Sequence, residues 1–246
     1  MPIRQVKLAT LLCAAVLVTG CGGGGGDDGS DAKASPSGTS SGSPSVPASG
    51  SPSASASAQE PEAAADPLDA AELKSAALSG TEVDGFQITD FPAKPAGGGT
   101  ARPAVCQPLE NMRTASPKPA PKQFLGLLAY ATSGSSAGSA TTIGLMAYDQ
   151  PDAEGILDGL RTALKDCTAY EGGVPARTTV KPAAAPDAGD DAVAFELQTR
   201  GDSSDAFVVV RSGATVVMFY AVSGTGSPAE VPAELVSAQL GKLKRA

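Results

Sequence analysis

Histidine and tryptophan are both absent from the 246 residues. Without histidine there is no Ser-His-Asp or Cys-His catalytic site, no imidazole metal ligand and no imidazole pH switch. Aromatic residues make up only 4% and charged residues 18% of the chain. The net charge of −8 carries no excess of one basic face, which excludes a nucleic-acid partner of the usual kind. No cofactor fingerprint is present: the Gly22–Gly26 run follows no strand and precedes no Lys-Ser/Thr pair, so it is not a phosphate loop. The chain is long enough for one domain of ordinary size or two small ones.

What the sequence does contain begins with an export signal over residues 1–20. Arg4 and Lys7 form a positive start, and Leu8 to Val18 a short apolar stretch, too short to span a bilayer as a mature helix. Val18-Thr19-Gly20-Cys21 follows, a pattern that resembles a bacterial lipobox. In lipoproteins of that pattern the cysteine thiol is diacylated and the signal is cut just before it. Cys21 is therefore the expected lipid attachment, and two acyl chains give stable anchoring where one is marginal. The expected location is the extracytoplasmic face of the cell membrane.

Residues 21–65 read as the lipidated cysteine and a disordered tether. Of the 44 residues from 22 to 65, 12 are Ser, 9 Gly, 9 Ala and 5 Pro, so there is no apolar surface to offset the entropy of ordering. A flexible chain of that length reaches about 35–40 Å, enough to hold a domain off the membrane. Charge divides in the same way. Cys21 to Asp90 carries 11 acids and 2 bases, Phe91 onward 15 acids and 14 bases, so most of the domain offers no field for a charged polymer.

Residues 66–246 read as one α+β domain. Asp66-Pro67 starts a helix that runs to about Leu78, with Gly80 ending it. Val83–Thr89 alternates weakly, and residues 92–122, rich in Pro and Gly, read as a long irregular connection. Phe124–Thr132 and Thr141–Tyr148 are strands of a hairpin. From Pro151-Asp152, the apolar residues Ile156, Leu160, Ala163, Leu164 and Cys167 recur at helical spacing, and Glu171-Gly172-Gly173 stops that helix. Val174–Val180, Ala192–Thr199, Phe207–Arg211 and Thr215–Val222 are strands, the last two joined through Ser212-Gly213-Ala214. A final helix covers about Ala229–Lys244. Hairpins dominate, so the sheet is expected to be largely antiparallel, with helices packed on it.

Of the four cysteines, Cys13 leaves with the signal and Cys21 takes the lipid, leaving Cys106 and Cys167 on the oxidising side of the membrane. A disulfide closing a loop of about 60 residues is the natural reading; two buried thiols or a redox pair are the alternatives, and no Cys-x-x-Cys spacing supports the last. Other motifs give little. Gly134-Ser135-Ser136-Ala137-Gly138 matches a nucleophile elbow in letters, but lies in a hairpin tip without a histidine partner. Asp187, Asp190 and Asp191 lack calcium-loop spacing and read as a solvated turn. Arg200 and Arg211 read as exposed strand-end charges, and Phe219, Tyr220 and Tyr148 as sheet packing rather than a stacking platform.

Cys106-Gln107-Pro108-Leu109, Leu164-Lys165-Asp166-Cys167 and the order of elements together resemble the extracellular sensor domains of PknH-type bacterial serine/threonine kinases, and the free-standing lipoproteins similar to them, over roughly residues 67–245. In that family a cysteine after the first strand, followed by a small helical turn, pairs with a cysteine late in the central helix. The resemblance implies a Cys106–Cys167 pair and a non-catalytic sensory or ligand-binding role outside the cell. The family's tryptophan before the second cysteine and its second cysteine pair are absent here, so no binding residues carry over. The expected function is a non-enzymatic, membrane-anchored lipoprotein that binds a small cell-envelope ligand or a protein partner. Its rival is a structural or chaperone-like envelope lipoprotein without a small-molecule site. A concave apolar pocket with convergent polar groups separates the two.

Overall fold

The computed structural model describes residues 66–91, 98–172, 177–201, 203–223 and 228–246. Expectations for residues 1–65, the lipobox and tether among them, lie outside these.

Strand alternation and short hairpins produce one eight-stranded antiparallel sheet in the order β1-β2-β3-β8-β7-β6-β5-β4. The strands are β1 (Phe86–Asp90), β2 (Gln123–Ala131), β3 (Ala140–Ala147), β4 (Ala169–Glu171), β5 (Arg177–Ala183), β6 (Asp191–Thr199), β7 (Ser204–Ser212) and β8 (Thr215–Val222). The helices are α1 (Ala70–Ser75), α2 (Gln107–Arg113), α3 (Gln150–Asp166) and α4 (Ala233–Leu243). The expected α+β class with a largely antiparallel sheet is what forms.

Alternation sorts the side chains into two cores. Val193, Phe195 and Leu197 of β6 turn to one face, with Phe207 and Val209 of β7 and Val216 and Met218 of β8; α3 covers them through Ala153, Ile156, Leu157 and Leu160. Each large aliphatic so buried is worth about 1.5–3 kcal/mol. On the opposite face Ile143, Leu145, Val217 and Phe219 meet Leu73 of α1 and Leu235 and Leu240 of α4. Covering on both faces explains why β8 reads Val-Val-Met-Phe without a polar break. Gln239, fully buried on α4, ties the two helical segments of this face together. Its Nε2 donates to the Ala76 carbonyl at 2.7 Å, and its Oε1 accepts from the Leu78 amide at 3.1 Å.

Both sheet edges are closed by backbone bridges. Gly80 exchanges two hydrogen bonds with Ile88 of β1, and Arg102 two with Glu171 of β4. Where β5 runs past β4, Pro182 removes a donor from the exposed edge.

Several boundaries differ from the sequence expectation. The first helix is capped by Asp69, not Asp66, because Glu72 three residues on completes a capping box with it. It ends at Ser75. The connection taken as irregular contains a 3-10 turn at Ala104–Cys106 and the helix α2. The third helix ends at Asp166, where Cys167 turns extended at φ −100°, ψ 111°; Ala169–Glu171 then forms the extra strand β4 rather than continuing the helix. The last helix starts only at Ala233, after Pro232.

Gly189 is required by both backbone angle and space. Gly189 holds φ +67°, and a Cβ there would fall 2.3 Å from the Arg211 carbonyl oxygen. The turn it makes lets the Asp190 amide donate to that same carbonyl at 2.8 Å. Gly189→Ala is expected to lower the unfolding free energy by about 1–3 kcal/mol in a urea titration. A wild-type midpoint would show that the turn is free to open.

Candidate functional site

Cys106 and Cys167 are joined as a disulfide with Cα atoms 5.4 Å apart, and their exposures are 0% and 2%. Burial on both sides makes the bridge structural and removes the two alternatives left open by the sequence. A second link lies beside it. Glu110, one turn after Cys106 on α2, is wholly buried. Arg113 donates to both its oxygens, from Nε at 2.8 Å and from an outer nitrogen at 2.7 Å, and the Tyr170 hydroxyl donates to it at 2.9 Å. Burial, and then the Glu110 charge, push the Tyr170 hydroxyl above its ordinary range. The hydrogen bonds that Arg113 donates to Glu110 hold the guanidinium above its ordinary range. The charge of Glu110 is thus matched internally by Arg113 and Tyr170.

The other residues singled out fall as follows. Ser136 sits in the β2–β3 hairpin tip between Gly134 at φ +76° and Gly138 at φ +88°, a turn rather than an elbow. Asp190 caps the β7–β8 turn, accepting the Gly213 amide at 2.6 Å, and Asp191 pairs with Arg161 on α3. Among the described residues no group of carboxylates is placed to hold a metal. Arg200 is exposed as expected. Arg211 is not: it is half-buried, and donates to Asp190 and to the Gly213 carbonyl, both at 3.2 Å, because the turn folds over it. Tyr148 and Phe219 are core residues. Tyr220 stacks on Phe207 with centroids 4.6 Å apart, and Phe207 on Phe195 at 4.9 Å, a ladder across three strands.

A concave feature among the described residues is on the α4 side of β6 and β7, and no sequence motif pointed to it. A cleft of about 540 Å³ opens there. Ala194 and Ala206, small residues on neighbouring strands, keep its floor low, with Val208 beside them. One wall is the β5–β6 connection, with Pro186 and Asp187; the other is the segment before α4 with Glu230 and Val231, continued by Val236 and Ser237 of the helix. The volume lies within the range of small-molecule sites, and the make-up, apolar with a few polar groups, is of their kind. Glu196 at the floor's edge is held by Lys181, whose Nζ lies 3.1 and 3.3 Å from its oxygens, and by Ser204 at 3.4 Å. A signal existed only in hindsight: Ala194 and Ala206 are small where their neighbours on the same strands are large.

Fold and cleft together define an antiparallel α+β domain with a concave site and no catalytic constellation among its described residues. No family model and no curated protein matches the chain. Among solved structures it is similar to the extracellular domain of PknH from Mycobacterium tuberculosis, at 11% identity and a TM-score of 0.46, covering 73% of this chain and 93% of that one. It is also similar to the Rv0999 ortholog from Mycobacterium smegmatis, at 17% identity and a TM-score of 0.36, covering 71% of this chain and 93% of that one. No helix among the described residues is long and apolar enough to cross a membrane.

Proposed function

We propose that this chain is a non-catalytic, extracytoplasmic binding lipoprotein, anchored by lipid at Cys21 and seating a small cell-envelope ligand in the cleft above Ala194 and Ala206. The cleft carries the reading: a purely structural domain has no use for 540 Å³ of open, largely apolar space between its sheet and α4. The export signal, the lipobox and a disulfide that needs an oxidising compartment support the location.

Filling the cleft tests the binding. Ala206→Phe places a ring in the open space from a partly buried position, and an unchanged melting temperature checks that the variant keeps the fold. Native mass spectrometry of the protein drawn from its own envelope fraction is expected to show a bound small molecule in the wild type and none in the variant. A wild type that carries nothing and retains nothing from an envelope extract would favour the structural reading instead.

The anchor is tested separately. Cys21→Ala is expected to release the protein into the medium or leave it as an uncleaved precursor. A variant as firmly membrane-bound as the wild type, at the mature mass, would refute the anchor.

A further inference from the structure

We propose that the ligand class of this cleft is an organic amine with an apolar body, a cation whose charge sits at the rim and whose hydrocarbon lies on the floor. The inference rests on the binding reading above and deepens it. Three carboxylates line the cleft from three separate segments: Asp187 on the β5–β6 connection, Glu196 on β6 and Glu230 before α4. Asp187 and Glu230 line the space from different segments, and neither has a hydrogen-bond or ion-pair partner among the described residues. Among the described residues no lysine or arginine lines the cleft. The cation nearest in the hydrogen-bond network is Lys181, which occupies Glu196 from outside and is itself 73% exposed, so an incoming ammonium can replace it at small cost.

Between these charges the floor of Ala194, Ala206 and Val208 and the Val236 side chain of the α4 wall are apolar. A bare metal ion would meet too few carboxylates together. A carboxylate or phosphate would meet three like charges. An uncharged lipid would fill the floor but leave the rim field unused. An ammonium on a hydrocarbon body satisfies both parts, and the charge complementarity selects it over isosteric neutral and anionic molecules.

Octylamine, octanol and octanoate share one hydrocarbon and differ in the head group, and so serve as probes. Each is titrated into the purified mature chain and followed through the amide NMR signals of Ala194, Ala206 and Val236. Octylamine is expected to shift these signals saturably, and to bind at least about tenfold more tightly than either of the others. Its affinity should fall as salt rises to about 0.5 M, since the rim charges are exposed to solvent. The double variant Asp187→Asn with Glu230→Gln, both at exposed positions, should keep the wild-type melting temperature, weaken octylamine about tenfold and leave octanol unchanged. Octanol or octanoate binding as tightly as octylamine would overturn the amine class while leaving the cleft as a binding site. Silence from all three probes would also overturn it, and native mass spectrometry of the envelope-derived protein then decides whether the cleft binds anything.

Discussion

Replacing Cys106 or Cys167 by serine is expected to lower the unfolding free energy by about 4 kcal/mol, the entropy that a bridge across 61 residues removes from the unfolded chain. The loss is a large part of what a domain of this size has. Cys106 opens α2, a helix of seven residues, which has too few turns to persist on its own. Cys167 closes α3, the longest helix. The bond therefore holds a marginal segment against a robust one. Both single variants should unfold at the same urea concentration as the double, because each breaks the same bond. The exported wild type should weigh two hydrogens less than its reduced form. Single variants with a wild-type midpoint would show that α2 is held by packing alone.

The Glu110→Ala variant is expected to cost about 3–5 kcal/mol, for a different reason. Glu110 is fully buried, and its removal leaves the Arg113 guanidinium and the Tyr170 hydroxyl without their acceptor. Tyr170→Phe removes one hydrogen bond and should cost about 1 kcal/mol, with Arg113 still paired. The ion pair and the disulfide fasten the same two stretches: Glu110 is four residues after Cys106, and Tyr170 three after Cys167. Their losses should therefore add to less than the sum, since a segment already released has little left to lose. Urea titration of Cys106→Ser, Glu110→Ala and the double variant measures this. Strict additivity would show that the two links act on independent parts of the fold.

Local pattern was a good guide where an element is long and its apolar face continuous. Ile156, Leu160 and Ala163 repeat at helical spacing over about two turns, and the helix they predict is there, with that face inward. Val193, Phe195 and Leu197 alternate, and turn to one core. The Ser212-Gly213-Ala214 turn joins its two strands, with Gly213 at φ +58°. The elements missed are those with little local stability. Strand β4 has three residues and exists because β5 pairs with it on one side and Arg102 bridges it on the other. Helix α2 sits in a proline-rich stretch whose composition outweighed the one-turn spacing of Leu109 and Met112. The buried carboxylate was half visible, as Glu110 and Arg113 three residues apart. Tyr170, 60 residues away, was not.

The sequence alone determined the order of the major elements, the faces that turn inward, the antiparallel character of the sheet and the spare cysteine pair. These follow from spacing along the chain, which sets which side chains share a face. Tertiary structure decided the rest. The cleft depends on the β6–β7 register, which sets Ala194 opposite Val208 and Ala206 opposite Glu196, and on a segment more than 20 residues later in the chain than either alanine that lines the same space as the β5–β6 connection. The charge of its rim comes from Asp187, Glu196 and Glu230, three acids that no local motif unites. Depth and field are properties of residues brought together by folding, and their physical cause is the sheet's register and the path of the chain over it.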